Sequence, residues 1–251
     1  MNRLEEITAY CDERTRRREV ADFPGSVNGL QFANRGSVNK IGAAVDAGLI
    51  PFREAARRGI QFLITHHGMF WNPFPPVTGP RFEQVRVLLE ADCAVYGSHL
   101  PLDLHPEIGN NVLLARRLGL EPVDEFLEYE GNAIGKIARA GLSRTELVDR
   151  LKAHYPSTFS AAEYGSDRIE NVAVLTGSGS SAVGHLKEAG VDTLITGELK
   201  QNFFNQAQEE GLNLYCCGHY ATETHGVCAL AEEVARKFNL AWEFIETPCP
   251  W

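Results

Sequence analysis

Apolar positions along the chain alternate between short unbroken runs and stretches of helical spacing. Residues 41 to 46 (Ile-Gly-Ala-Ala-Val-Asp) are a run too short for a helix and read as a buried strand. Residues 50 to 58 follow helical spacing, and 60 to 65 (Ile-Gln-Phe-Leu-Ile-Thr) predict a second strand that ends at His66-His67. The pattern returns with a strand over 172 to 176, a helix near 181 to 189 and a strand over 191 to 196. Strands that alternate with helices in this way predict an α/β fold.

The return keeps its register. At an offset of 131, Gly48 lies on Gly179, Gly59 on Gly190, and Leu63-Ile64-Thr65 on Leu194-Ile195-Thr196. At an offset of 120, Ser98-His99 meets Gly218-His219, Asp103 meets Glu223, His105 meets His225, and Ala115 to Leu120 meets Ala235 to Leu240. Both halves therefore carry His-x-x-x-acid-x-His between a strand and a helix. The matches fall on turn glycines, strand ends and titratable residues, as a duplicated α/β unit requires.

Between the repeats the composition changes. Gly131 to Ala140 reads as a strand or hairpin, and Ser143-Arg144-Thr145-Glu146 is a capping box that opens a helix running to about His154, before Pro156. The expected units are therefore 1–125, with the His-His and His-x-x-x-Asp motifs, and 126–251, with His-x-x-x-Glu. The C-terminal helix could pack back on the first unit and so intertwine the two.

Composition changes this picture little. Of 251 residues, 44% are hydrophobic and 23% charged, which is ordinary for a globular protein. The 24 Lys and Arg against 33 Asp and Glu give a net charge of −9, the wrong sign for a general nucleic-acid binder. Charges in Met1 to Glu6 interrupt the apolar core that an export signal needs, and no apolar run approaches the ~20 residues of a membrane span. The cysteines lack a disulfide framework; Cys216-Cys217 read as reduced thiols at a strand end, or else as half a zinc site whose second half is missing. A cytoplasmic location is expected.

Histidine is the informative count: six of the eight lie in three segments, at 66 and 67, at 99 and 105, and at 219 and 225. Metal sites need deprotonated ligands converging from different elements, and imidazoles with carboxylates suit zinc, iron, manganese or cobalt. Neighbouring residues of a strand point to opposite faces, so His66 and His67 at a strand end are expected to serve two adjacent ions. Asp103 and Glu223 can bridge ions. His219 and Glu223, four apart, share a face if a helix begins at Tyr220. Pro101 argues for an extended loop between His99 and Asp103. His105 and His225 read either as donors that orient carboxylates or as exposed helix-start residues; His154 and His185 read as structural or surface residues.

Other motifs carry less. Gly177-Ser178-Gly179-Ser180-Ser181 reads either as an anion-binding backbone nest or as a turn, and it lacks the Lys of a phosphate loop. Asn72-Pro73-Phe74-Pro75-Pro76 reads as a rigid wall to the pocket, and the basic run Arg14 to Arg18 as a solvated face.

Taken in order, Asn28-Gly29-Leu30-Gln31, Ile64 to Trp71 (Ile-Thr-His-His-Gly-Met-Phe-Trp), Ser98 to Asp103, Ile195-Thr196-Gly197-Glu198 and Gly218 to Glu223 resemble the GTP cyclohydrolase 1 type 2 homolog family, also called Nif-three-like. The likeness runs over nearly the whole chain. It implies two similar intertwined α/β units with mixed sheets, a toroidal homohexamer built as a trimer of dimers, and a dinuclear metal centre facing the inner cavity. By motif position the metal ligands would be His66, His67, Asp103, His219 and Glu223, with His99 adjacent. Leu100-Pro101 stands where the family often has Thr-Asn. The function implied is a metal-dependent hydrolase acting on a nucleotide or other small anionic, phosphorylated compound, with His99 or Glu198 moving a proton. The alternative is a metal-handling or regulatory protein without turnover.

Overall fold

The computed structural model describes residues 3–71 and 75–249. The chain divides into two compact units, Met1–Leu102 with Gly226–Thr247, and Asp103–His225 with Pro248–Trp251. It leaves the first unit, builds the second and returns.

The first unit opens with helix α1 (Arg3–Arg14), edge strand β1 (Gly29–Phe32) and strand β2 (Lys40–Asp46). Helix α2 (Leu49–Arg57), β3 (Phe62–His67), α3 (Pro80–Ala91) and β4 (Ala94–Gly97) follow. The short helix α4 (Leu100–Asp103) leads into the second unit, which holds α5 (Asn110–Arg117), β5 (Glu121–Tyr129), β6 (Asn132–Ser143), α6 (Arg144–His154), β7 (Ser160–Glu163) and β8 (Arg168–Ser178). Then come β9 (Thr193–Glu198), α7 (Asn202–Glu210), β10 (Asn213–Cys216) and α8 (His219–Thr222). Helix α9 (Thr224–Phe238) carries the chain back to the first unit, where β11 (Ala241–Phe244) joins its sheet.

The two sheets share a plan. The first has the order β1-β4-β3-β2-β11 and the second β7-β10-β9-β8-β6-β5. Strands β2, β3 and β4 are parallel with β1 antiparallel at the edge, and β8, β9 and β10 are parallel with β7 antiparallel at the edge. Strands β3 and β9 begin and end 131 positions apart, so the sequence register and the strand ladder agree. The sheets differ on the far side, where β11 pairs parallel with β2 while the β5-β6 hairpin pairs antiparallel with β8. Each unit has its own apolar core: Phe52, Leu63, Leu88 and Val95 in the first, and Leu114, Leu147, Val172 and Ile195 in the second.

Local rules explain the turn between β5 and β6 and the start of α6. The β5-β6 hairpin turns at Glu130-Gly131, both with positive φ, as a two-residue turn between twisted strands requires. The capping box forms as expected: Ser143 Oγ accepts from the Glu146 N–H, and the Glu146 carboxylate accepts from the Ser143 N–H.

Two expectations are corrected. The helix expected near 181 to 189 is a 3-10 turn at Val183–His185, because Gly184 at its centre lowers helical preference by about 1 kcal/mol. The segment after His99 is helical despite Pro101. Proline is tolerated in a first helical turn, where its missing N–H has no intrahelical partner to lose. Of the proline-rich loop, Asn72 to Phe74 lie outside the described residues. No described helix is long and apolar enough to cross a membrane.

Candidate functional site

In the first unit three neighbouring parallel strands deliver their last residues to one sheet edge, the carboxyl edge where open α/β sheets hold ligands. β2 ends on Asp46, β3 on His66 and His67, and His99 stands two residues beyond β4. His66 is fully buried, and its Nδ1 lies 3.0 Å from the Ser98 carbonyl. His67 Nδ1 lies 2.8 Å from Asp46 Oδ1, and His99 Nδ1 lies 2.8 Å from Asp22 Oδ1. Each Nδ1 thus faces an oxygen acceptor, the orientation in which metal-ligating histidines present Nε2. The rings pack closely: centroids are 4.9 Å apart for His66 and His67, 5.0 Å for His66 and His99, and 5.6 Å for His67 and His99. Each offers a ring nitrogen, and the three nitrogens fall within 4.8 Å of one another.

Several groups hold this edge in place. Asp22, almost fully buried, accepts from four donors: His99 Nδ1 and the Phe23 N–H on Oδ1, and Asn28 Nδ2 and the Leu100 N–H on Oδ2. Burial would raise its carboxyl, but the hydrogen bonds from His99, Asn28 and Phe23 outweigh that and hold it below the usual range. Gln31 lies against Gly68 and Gly97, where an added Cβ would stand 2.1 and 2.6 Å from its Nε2. Its carbonyl accepts from the Met69 N–H and its amide donates to the Val27 carbonyl, which fixes the chain leaving His67. Trp71 meets His99 edge-on at 5.3 Å.

In the second unit Asp103 is buried, and its Oδ1 accepts from Asn110 Nδ2 at 2.7 Å, with the Thr176 hydroxyl at 3.4 Å. Asn111 donates to the Ile134 carbonyl and accepts from the Thr176 N–H, tying the start of α5 to the sheet. His219, the first residue of α8, lies between two carboxylates: Nδ1 is 3.0 Å from Glu198 Oε1 and Nε2 is 3.1 Å from Glu223 Oε1. The hydrogen bond to Glu223, the attraction of its charge and the Glu198 contacts overcome burial and raise His219 to about 9. Glu223 is almost fully buried beside Gly177, whose N–H donates to Thr222 Oγ1 at 3.1 Å. The Gly179 N–H likewise donates to the Glu198 carbonyl, so both glycine N–H groups of that segment serve the turn.

The remaining histidines are explained locally. His105 Nδ1 accepts from the N–H groups of Glu107 and Ile108, which caps the turn before α5. His225 Nε2 lies 3.0 Å from the Tyr155 hydroxyl, and burial lowers it to about 4. Both are more enclosed than helix-start surface residues. The basic run is paired in place, with Arg14 on Glu233 and Arg17 on Asp12. Sequence reasoning missed Asp22, Asp46, Asn110, Asn111 and Thr176 as supports of the site. Only Asn28 and Gln31 sat in a motif that marked them.

The sequence model of the Duf34/NIF3 (NGG1p interacting factor 3) family matches residues 3–250. The chain belongs to the Duf34/NIF3 family. A relative from Deinococcus radiodurans, named GTP cyclohydrolase 1 type 2 homolog, is 37% identical over 247 residues, covering 97% of this chain and 93% of its own. One of the same name from Escherichia coli K12 is 33% identical over 246 residues, covering 98% of both chains. Among solved structures, TTHA1606 from Thermus thermophilus superposes with a TM-score of 0.88 at 37% identity, covering 99% of both chains. Protein ybgI, whose structure is titled as of unknown function, superposes with a TM-score of 0.91 at 32% identity over 100% of both. The mixed α/β architecture with its two sheets is thus that of the NIF3 superfamily. In this NIF3 protein the described residues include imidazole and carboxylate groups that could hold a metal. The donor set fits a borderline divalent cation, since it combines oriented imidazoles with buried carboxylates.

Proposed function

We propose that this NIF3 protein binds two divalent ions, drawn from zinc, iron, manganese or cobalt, through His66, His67, Asp103, His219 and Glu223. The reading rests most on one observation: His66 and His67 each place Nδ1 against an oxygen acceptor, at 3.0 and 2.8 Å, the orientation in which a ligating imidazole presents Nε2. Support also comes from the His-x-x-x-acid motif, which both halves of the sequence repeat, and from the hydrogen-bonded Asp103 and Glu223 carboxylates.

The activity proposed is hydrolysis of a nucleotide or other small phosphorylated compound, in line with the GTP cyclohydrolase 1 type 2 homolog name of the relatives. When bound, the ions supply Lewis acidity for attack on an anionic substrate. The chain's own residues do the rest. His99 Nε2 accepts or returns a proton beside His66 and His67. Glu198 holds the Nδ1–H of His219 and so aims Nε2 of that ring. The assembly proposed is a toroidal homohexamer, a trimer of dimers, in the cytoplasm.

The test is an assay of metal-loaded protein against a panel of nucleotides and phosphoesters, beside His66→Ala and Glu223→Ala. Turnover that needs both residues supports the hydrolase. Stoichiometric metal binding, lost in the variants, with no turnover of any substrate would instead favour a metal-handling or regulatory role. Light scattering of the purified protein tests the hexamer.

A further inference from the structure

The loop between α1 and β1 supplies Asp22 and Asn28, neither of which the metal reading uses. Asp22 is held by all four donors described above, two on each of its oxygens. Asn28 completes the device: its Nδ2 donates to Asp22 Oδ2 at 2.7 Å while its Oδ1 accepts from the His99 backbone N–H at 2.8 Å. The amide of Asn28 therefore has one orientation, because turning it would set donor against donor at the His99 backbone. Its orientation in turn requires an acceptor at Asp22 Oδ2, and the Phe23 N–H requires one at Oδ1. Both Asp22 oxygens must accept, so the ring nitrogen facing Oδ1 must carry a proton.

We infer that Asp22, locked by Asn28, is a positioning residue that holds His99 as its Nδ1–H tautomer and so keeps Nε2 as the proton-accepting nitrogen beside His66 and His67. The value of this for the site rests on the metal-hydrolase reading, in which His99 handles a proton. Phe23 and Trp71, with ring centroids 5.8 and 5.3 Å from the His99 ring, flank it and limit its rotation to other partners. The arrangement is that of a carboxylate behind a general base, where the carboxylate sets the tautomer and orientation of the imidazole without itself taking the proton.

The substitution Asp22→Asn is diagnostic. An asparagine at 22 has one accepting oxygen. Directed at Asn28 Nδ2 and the Leu100 N–H, it satisfies two donors, takes the acceptor away from the Phe23 N–H, and turns its own NH2 toward His99 Nδ1, which must then accept. The proton moves to Nε2, and the lone pair there is lost.

The test is nitrogen-15 magic-angle-spinning spectroscopy of histidine-labelled, metal-free protein, with His99→Gln to assign the His99 signals. Wild type is expected to show His99 protonated at Nδ1 and bare at Nε2, and Asp22→Asn to reverse the two signals while the thermal transition and the other histidine signals persist. A role for Asp22 limited to loop folding would leave the tautomer unchanged in the variant, and that result overturns the inference. Should the variant not fold, the wild-type spectrum decides alone: His99 protonated at Nε2 overturns it. Zinc competition against a chelator, on wild type and His66→Ala, is run in parallel. Equal zinc affinity there would contradict the metal reading without touching the tautomer result, so the two failures are distinct.

Discussion

A Cβ placed on Gly177 would stand 2.3 Å from Glu223 Oε1. The glycine also holds a φ of +66°, so its place at the end of β8 is set both by backbone conformation and by the approach of a buried carboxylate. Gly177→Ala is expected to cost about 1–3 kcal/mol from these two effects together and to displace Glu223. Chemical unfolding reads the first, and chelator competition for zinc reads the second as a loss of affinity. A variant with wild-type stability and affinity would show that Glu223 has room to spare.

The capping box of α6 gives a contrasting control. Ser143→Ala removes the side-chain acceptor for the Glu146 N–H and is expected to cost about 1 kcal/mol, or about 2–4 °C in Tm. Metal binding should be unchanged, since α6 supplies no ligand. Calorimetry and metal analysis on the same preparation check both halves.

His225 should make the protein acid-sensitive. Burial first, then Arg117 and His154, lower it to about 4, below the ~6.5 of an unfolded chain. Protons therefore bind the unfolded state preferentially. The stabilisation is complete above about pH 6.5 and is lost as pH falls toward and through 4, on the order of 3 kcal/mol in all. His225→Phe is expected to flatten that part of the acid limb in denaturant titrations run at several pH values. An unchanged slope would assign the acid limb to other groups.

Cys93, Cys217 and Cys228 should be inert while the protein is folded. Burial is the main cause that raises Cys93 and Cys217 to about 12 and Cys228 to about 11, which leaves almost no thiolate at neutral pH. Alkylation followed by mass spectrometry should find these three labelled far more slowly in native than in urea-unfolded protein. Fast native labelling of Cys217 would reopen the zinc reading of Cys216-Cys217.

The legible parts of the fold were those in which local pattern and tertiary packing agree. The runs ending at His66-His67 and at Thr196 are apolar because their strands lie centrally in a sheet, and the duplication shows because turn glycines and strand ends recur in both halves. The edge strands Gly29–Phe32 and Ser160–Glu163 were not read, since four half-exposed residues carry too short a period. Pro101 signals a loop through the bias it places on Leu100, but a proline in a first helical turn has no intrahelical bond to lose, so the local signal misleads. The histidines of the site stood out by their clustering. Their supports did not, for Asp22 lies 77 residues from His99 and Asp46 lies 21 from His67. An ordinary Asp in a loop becomes an orienting carboxylate only through the fold, and the same holds for Asn110 beside Asp103.

The central claim is that the histidine segments build a two-ion centre. Anomalous scattering from crystals of the purified protein, with elemental analysis of the same sample, tests it most directly. Two peaks, one or both bonded to His66 or His67 and together accounting for Asp103, His219 and Glu223, are the predicted result. No peak at these residues in stoichiometrically loaded protein, or a peak beside Cys216-Cys217 in their place, would contradict it.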